Sequence, residues 1–349
     1  MSKYLSKKYA GLTPYVPGEQ PKEKLIKLNT NESPFPPSPL AQRLARQAAG
    51  DLRLYSDPEC TALKEAAAEY FGVQKENLIF SNGSDEILQF AFAAFCDAST
   101  PAKFADVTYG FYPVFAESLG IAYEEIPLKN DFTIDPADYY DAKATIFIAN
   151  PNAQTGILLP VNEIEKIVAR NPENVVVIDE AYVDFGGESA VPLTKKYENL
   201  LVVGTFSKSR SLAGARLGYA IGDKSLIADL NMLKYSFNPF NVNAMTAAAG
   251  VGALLDDEYF KKNCRTIIDN RAYLTDELKM LGFEVLPSSA NFLLCKHPEK
   301  SGVELFKGLR SKGVLVRRFD INRINEYLRI TIGSYDELKT LVEALRELL

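Results

Sequence analysis

Residues 201–218 read Leu201-Val-Val-Gly-Thr-Phe-Ser-Lys-Ser-Arg-Ser-Leu-Ala-Gly-Ala-Arg-Leu-Gly218. The apolar, β-branched run that ends at Gly204 predicts a strand, and Lys208 follows it closely among hydroxyl side chains. Arg216 lies eight positions beyond Lys208. Desolvation and a neighbouring cation both lower the pKa of an ammonium group, which frees the amine to attack a carbonyl and form a Schiff base.

The same segment carries donors for an anion. Thr205, Ser207 and Arg216 are the groups that a phosphate dianion requires, and an arginine can bind it through two hydrogen bonds. A lysine imine next to a phosphate site is the arrangement of a pyridoxal 5'-phosphate (PLP) enzyme, in which the cofactor accepts electrons. The alternative is a basic loop that only solvates the start of a helix, because short motifs also match by chance.

The bulk composition argues against several classes of protein. With 349 residues, the chain can form two domains, or one large α/β domain with an appendage. The net charge of −6 argues against nucleic acid or an anionic membrane as a partner. The four cysteines are scattered and His297 is the only histidine, so we expect neither a metal site nor a Ser-His-Asp hydrolase. No segment resembles a membrane span or a signal peptide, and we expect a cytosolic protein.

Strand-like and helix-like runs alternate through the middle of the chain. We predict strands at 78–80, 144–149, 175–178 and 201–203, and helices at 40–49, 62–71, 84–95, 163–170 and 243–255. Continuous apolar strands separated by helices indicate a parallel sheet covered on both faces, whose ligands bind at the carboxyl ends of the strands. The polar segments 150–156, 179–182 and 205–208 fall at those ends, and no strand is followed by a dinucleotide-binding glycine motif.

Acidic side chains follow two of the predicted strands, those at 175–178 and 78–80. Asp179 could pair with a protonated pyridine nitrogen, or it could simply cap the next helix. Ser84 and Asp85 begin an apolar helix whose free N–H groups favour an anion, although the same residues also suit an ordinary turn and N-cap. We interpret the anion site, the lysine and the aspartate, all at strand ends of one sheet, as a single functional site.

The chain is expected to divide into three parts. Residues 1–40 are rich in proline and predict an irregular arm that packs on the small domain or on a partner subunit. Residues 41–255 form the large domain, and residues 256–349 form a small α+β domain after a long helix at 257–280. We predict strands at 284–286, 292–295, 314–318 and 327–332, and helices at 302–311 and 335–348. If the last two strands form a hairpin, Arg317 and Arg329 come close together, which favours an anionic ligand between them.

With these residues identified, the chain resembles the class II, fold-type I PLP-dependent aminotransferases, and most of all the branch that acts on L-histidinol phosphate. The resemblance covers nearly the whole length. It includes Leu12-Thr-Pro-Tyr15, Ile26-Lys-Leu-Asn-Thr-Asn-Glu32, Ser81-Asn-Gly-Ser-Asp-Glu86, Thr108-Tyr-Gly110, Asp179-Glu-Ala-Tyr182 and Leu328-Arg-Ile-Thr331. It implies an α/β fold with a large PLP-binding domain, whose central sheet is mostly parallel and covered by helices, and a small α+β domain.

The resemblance implies a role for each residue around the cofactor ring. Lys208 would form the Schiff base and move the proton, and Asp179 would pair with the pyridine nitrogen. Tyr182 would bond the ring hydroxyl, and Tyr109 would stack on the ring. Asn152 is the candidate for a second contact to the hydroxyl.

The resemblance also implies the phosphate and substrate sites. The phosphate would be bound by the backbone N–H groups of Ser84 and Asp85, together with Thr205, Ser207 and Arg216. Tyr55 looks like the tyrosine that reaches this phosphate from the other subunit, which implies a homodimer with shared active sites. Arg329 would bind the anionic group of the substrate, with Arg317, Tyr15 and Asn29 beside it.

The sequence departs from the family pattern at one functional loop. The usual Asn-Asn-Pro-Thr-Gly appears as Asn152-Ala-Gln-Thr-Gly156, so that either Asn152 contacts the ring hydroxyl or Ala153 occupies that position. Phe35 and Ser33 also stand where tyrosine and asparagine are more typical.

The resemblance implies a ping-pong reaction of L-histidinol phosphate with 2-oxoglutarate, which gives imidazole acetol phosphate and glutamate in histidine biosynthesis. The alternatives on the same scaffold are an aromatic amino-acid aminotransferase and a decarboxylase of a phosphorylated amino acid. A PLP-binding regulatory protein without turnover is a further alternative. It would normally carry a DNA-binding domain, and no basic helix-turn-helix segment is found at the amino terminus.

Overall fold

A computed structural model describes residues 2–349. The helices are α1 (Pro39–Ala48), α2 (Thr61–Phe71), α3 (Ser84–Phe95), α4 (Tyr112–Leu119), α5 (Val161–Ala169), α6 (Lys224–Phe237), α7 (Ala244–Leu255), α8 (Asp257–Met280), α9 (Gly302–Ser311) and α10 (Tyr335–Arg346). The strands are β1 (Ile26–Lys27), β2 (Leu78–Asn82), β3 (Ala102–Ala105), β4 (Tyr123–Ile126), β5 (Thr145–Ala149), β6 (Val176–Asp179), β7 (Leu200–Thr205), β8 (Leu217–Gly222), β9 (Glu284–Val285), β10 (Phe292–Lys296), β11 (Val314–Leu315), β12 (Arg317–Arg318) and β13 (Leu328–Thr331).

The central sheet has seven strands in the order β2-β8-β7-β6-β5-β3-β4. All neighbours are parallel except β8, which runs antiparallel to both β2 and β7. The predicted α/β class and the mostly parallel sheet are therefore confirmed. Apolar side chains on both faces of β5, β6 and β7 are buried, because helices cover the sheet on each side. The carboxyl ends of these three strands lie side by side and present Asn150, Asp179 and Thr205 at one edge.

Most of the predicted elements are present to within a few residues. The strands β3, β4 and β8 and the helices α4 and α6 were not predicted. Helix α6 begins at an ordinary capping residue, Asp223, whose carboxylate accepts from the Ser225 N–H at 2.8 Å. Its mixed polar and apolar sequence gives a weak helical pattern, which explains why the sequence alone did not identify it.

The carboxyl-terminal part contains a second, four-stranded antiparallel sheet in the order β12-β13-β10-β9. Arg317 on β12 pairs directly with Arg329 on β13, as the hairpin argument predicted. Residues of the amino-terminal arm join this part, since β1 forms a parallel pair with β11 through Ile26 and Val314. The division of the chain into three parts, with boundaries after residues 40 and 255, stays a prediction.

Among residues 2–349, no helix is long and apolar enough to cross a membrane. The same residues contain no group of three or more histidine, cysteine, aspartate or glutamate side chains that could hold a metal ion. All four cysteines are unpaired and buried.

Candidate active site

A cavity of about 310 Å³ lies at the carboxyl ends of β6 and β7, which is within the size range of small-molecule sites. Nine of the residues predicted from the sequence line it: Ser84, Asp85, Tyr109, Asp179, Tyr182, Thr205, Ser207, Lys208 and Arg216. The remaining lining residues are Thr30 and Glu32 of the amino-terminal arm, Ala153, Ala181, Ala213 and Gly214. The strand ends of the sheet, the start of α3 and the arm thus meet at one cavity.

Lys208 lies at the centre of this cavity, just after β7. Its Nζ donates a hydrogen bond to the Thr30 carbonyl at 3.2 Å and lies 6.0 Å from the centre of the Tyr182 ring. Burial, together with the positive charge of Arg329, lowers the pKa of Lys208 to about 8. Lys208 therefore loses its proton more readily than an ordinary lysine, as a nucleophilic lysine requires.

Asp179, at the end of β6, is almost fully buried. Its carboxylate accepts hydrogen bonds from the Tyr112 hydroxyl and from the Ala181 N–H, each at 3.2 Å. Burial nevertheless raises the pKa of Asp179 to about 7. A carboxylate in this position is stabilised by a cationic N–H partner, which a protonated pyridine supplies.

The residues that are predicted to bind an anion lie together where α3 begins. Gly83 has a φ of 82°, and a Cβ on Gly218 would lie 2.3 Å from the Ser84 nitrogen, so both glycines allow a close approach of backbone to the helix start. Free N–H groups at such a helix start attract anions. The Thr205 and Ser207 hydroxyls lie 3.0 Å apart beside it.

The charged side chains at this anion site are coupled. Arg216, which is exposed at the mouth of the cavity, pairs with the Asp85 carboxylate at 2.9 Å. The Tyr109 hydroxyl donates to the other oxygen of Asp85 at 2.6 Å. Asp85 thus orients both Arg216 and the aromatic ring of Tyr109 next to the cavity.

Tyr182 has a partner that the sequence argument did not identify. The Asn31 side-chain N–H donates to the Tyr182 hydroxyl at 3.1 Å. Asn31 is itself held by Thr331 on β13, whose hydroxyl donates to the Asn31 side-chain oxygen at 3.0 Å. Asn31 belongs to the arm motif at 26–32, which was the only signal in the sequence that could have pointed to it.

Asn152 does not reach the cavity. Its amide donates to the Val107 carbonyl at 2.9 Å and accepts from the Gln154 and Thr155 N–H groups at 3.0 Å. These three bonds hold the Asn152 side chain within the loop, and its contact with the cofactor stays a prediction. Ala153 lines the cavity instead.

Arg329 lies next to the cavity and has no carboxylate partner among the described residues. Its Nη2 donates to the Asn29 carbonyl at 3.4 Å, and its Nε is buried without a hydrogen-bond partner. Arg317 is held by the arm through the Val16 carbonyl at 2.8 Å. Burial lowers the pKa of Arg329, because it removes the charged guanidinium from water. A bound anion stabilises such a buried positive charge.

The other predicted residues lie outside the cavity. Tyr15 stacks on Phe111 with ring centres 4.3 Å apart, and the Asn29 amide donates to the Glu19 carbonyl at 2.9 Å. Tyr55 is 84% exposed and stacks on Phe240, so it does not contribute to the cavity of its own chain.

The sequence family described as aminotransferase class I and II matches residues 23–345. The chain is 50% identical to histidinol-phosphate aminotransferase of Aromatoleum aromaticum, with 100% of both chains covered. It is 48% identical to histidinol-phosphate aminotransferase 2 of Dechloromonas aromatica, over 100% of this chain and 99% of the relative. The crystal structure of histidinol-phosphate aminotransferase from Sinorhizobium meliloti in complex with pyridoxal-5'-phosphate matches with a TM-score of 0.90 and 25% identity, over 100% of this chain and 99% of the other. The chain therefore belongs to the class I and II aminotransferase family.

Proposed function

We propose that the chain transfers the amino group of L-histidinol phosphate to 2-oxoglutarate, giving imidazole acetol phosphate and L-glutamate. The observation that carries the proposal is the cavity in which Lys208, Asp179 and the anion site of α3 lie together. Full-length relatives at 48–50% identity named histidinol-phosphate aminotransferase support this choice of amino donor.

The residues of the cavity fit PLP. Its wall offers a low-pKa lysine for the aldehyde, a buried carboxylate for the ring nitrogen and a helix start with two hydroxyls for the phosphate. When bound, PLP supplies a carbonyl that condenses with amines and a protonated ring that accepts an electron pair from the substrate. Lys208, Asp179, Ser84, Asp85, Thr205, Ser207 and Arg216 are the residues that would hold it.

Each residue that would surround the ring has a separate role. Lys208 would hold the cofactor between turnovers, and its Nζ, once released, would accept the proton from the substrate Cα. Asp179 would stabilise the protonated ring nitrogen, and Tyr112 holds the Asp179 carboxylate in place. Tyr182, which Asn31 orients, would donate its hydroxyl proton to the ring hydroxyl group. Tyr109, whose hydroxyl Asp85 holds, would stack on the ring.

A ping-pong transaminase must bind its two substrates in turn at one site. Both L-histidinol phosphate and 2-oxoglutarate carry an anionic group at the end of a short chain. We place that group on Arg329, because its guanidinium lacks a carboxylate partner among the described residues and its Nε is unpartnered. Arg317, directly across the strand pair, adds a second positive charge.

The proposal includes a homodimer with shared sites. Large apolar side chains are exposed on the Tyr55 loop and on α6, and α6 contacts the segment just after this loop through Lys234 and the Pro58 carbonyl. These side chains are Leu52, Leu54, Tyr55, Met232 and Phe237. Exposed apolar clusters of this kind favour a protein partner, and Tyr55 is free to reach the phosphate site of a second copy. The four unpaired, buried cysteines support a reducing compartment, and we place the protein in the cytosol.

The test is a comparison of amino donors. The purified protein is given 2-oxoglutarate with L-histidinol phosphate, phenylalanine or O-phospho-L-threonine, and glutamate formation and CO2 release are measured. The proposal expects glutamate with L-histidinol phosphate at the highest kcat/KM and no CO2. A preference for phenylalanine would instead indicate an aromatic aminotransferase, and CO2 release would indicate a decarboxylase.

A further inference from the structure

Gln154 occupies an unusual position in the loop between β5 and α5. The related family motif has proline at this place, and proline offers no side-chain hydrogen bond. Here the Gln154 side chain is buried, and its oxygen accepts a hydrogen bond from Arg329 Nη1 at 3.1 Å. A neutral amide therefore contacts the guanidinium to which we assign the substrate anion.

The remaining contacts of Arg329 are also neutral. Nη1 donates to the Ala153 carbonyl at 3.2 Å, from the residue that precedes Gln154. The rings of Phe292 and Phe319 lie 5.2 Å and 5.0 Å from the guanidinium carbon. Such contacts fix the plane of the group without neutralising it, so its positive charge remains available to an anion.

Gln154 is itself firmly anchored. Its N–H donates to the Asn152 side-chain oxygen at 3.0 Å, and Asn152 is tied to Val107. The loop ends at Gly156, whose φ is 78° and whose Cβ, if it had one, would lie 2.3 Å from the Ser288 hydroxyl. The backbone that carries Gln154 is thus held by hydrogen bonds, and its buried side-chain oxygen contacts Arg329.

We infer that Gln154 is a positioning residue that aims Arg329 at the anionic group of the substrate while leaving the charge of Arg329 unpaired. The inference rests on the proposed function only in assigning the substrate anion to Arg329. A neutral hydrogen-bond acceptor at position 154 supports anion binding by Arg329, and a charged acceptor at this position prevents it.

The experiment uses the PLP-loaded protein and two substitutions. Gln154→Met removes the acceptor at similar volume, and Gln154→Glu places a carboxylate on Arg329. KM for 2-oxoglutarate and for the amino donor, kcat, and the Kd for succinate by calorimetry are measured for each. Gln74→Glu is the matched control, because Gln74 is exposed and is not among the residues that line the cavity.

We expect Gln154→Met to raise both KM values and the succinate Kd about 10-fold, the usual effect of losing a hydrogen bond to a charged group. Gln154→Glu should raise them about 100-fold, because the substrate must compete with a fixed carboxylate. In both variants kcat stays within about threefold, since only anion binding changes. Gln74→Glu should match the wild type.

Unchanged KM and Kd values in both variants would overturn the inference, as would a fall in kcat with intact affinity. Absence of succinate binding to the wild type would also overturn it. If Gln154→Met fails to fold, the isosteric Gln154→Glu decides alone. A wild type that binds succinate in a Gln154-dependent way but rejects L-histidinol phosphate would contradict the proposed amino donor and leave this inference standing.

Discussion

Replacing Asp179 by asparagine should change how the stability of the cofactor-free protein depends on pH. Burial raises the pKa of Asp179 from its ordinary 3.8 to about 7. The folded protein therefore holds this proton more tightly than the unfolded chain does. The stability that the group contributes is fully present below about pH 4 and is lost as the pH rises through about 7.

The magnitude follows from the two pKa values. The difference between the two pKa values, 3.8 and about 7, corresponds to a change of about 4 kcal/mol in the free energy of unfolding over the pH range between them. About 3 kcal/mol of this falls between pH 5 and pH 8, because the unfolded carboxyl is already ionised at pH 5. Asparagine does not titrate, so the stability of the Asp179→Asn variant should not fall by this amount as the pH rises.

The assay is equilibrium unfolding in urea of both cofactor-free proteins at pH 5 and pH 8. The free energy of unfolding of Asp179→Asn, relative to the wild type, should increase by about 3 kcal/mol between the two pH values. Glu180, whose pKa is also raised by burial, to about 8, is present in both proteins and largely cancels. Tyr112→Phe removes a hydrogen-bond donor to the Asp179 carboxylate and should raise the pKa of Asp179 further. The pH range in which this stability is lost should therefore move to higher pH. A difference between the two proteins that does not vary with pH would refute the reasoning.

Three further predictions concern the cofactor and the dimer. Lys208→Ala should abolish multiple turnover in a steady-state assay of glutamate formation, because no other side chain supplies the amine; retained turnover would exclude the mechanism. Arg216→Met should weaken PLP binding by about 10-fold or more in equilibrium dialysis, through loss of a charge-assisted contact to the phosphate; unchanged affinity would remove Arg216 from the phosphate site. Sedimentation should give twice the mass of the 38.7 kDa chain, and Tyr55→Phe should lower PLP affinity without changing that mass. A monomeric protein would exclude the shared site.

The parts of this account that the sequence could predict depend on local patterns. The runs that form β5, β6 and β7 are almost continuously apolar and do not alternate with polar residues. Burial of both faces in a parallel sheet therefore follows from the residues themselves. Lys208 and Asp179 could be located because they directly follow such runs. The pairing of Arg317 with Arg329 could be predicted because the hairpin joins residues that are close along the chain.

The parts that could not be predicted depend on contacts between distant segments. Tyr112 and Asp179 are separated by 67 positions, and Asn31 and Tyr182 by 151. Tyr112 is one of two tyrosines in a short aromatic segment, and only the packing of α4 decides which one meets the aspartate. The direction of the Asn152 side chain depends on the shape of its loop, because an asparagine can bond its own backbone as readily as a ligand.

The central claim is that Lys208, Asp179 and Arg329 serve a PLP-dependent transfer of the amino group from L-histidinol phosphate. The most direct test is a half-reaction without keto acid, in which the cofactor absorbance of the purified protein is followed after addition of L-histidinol phosphate or phenylalanine. Our account predicts rapid bleaching with L-histidinol phosphate, reversal by 2-oxoglutarate, and slow bleaching with phenylalanine. A protein that binds no PLP, or one that bleaches with phenylalanine and not with L-histidinol phosphate, would contradict it.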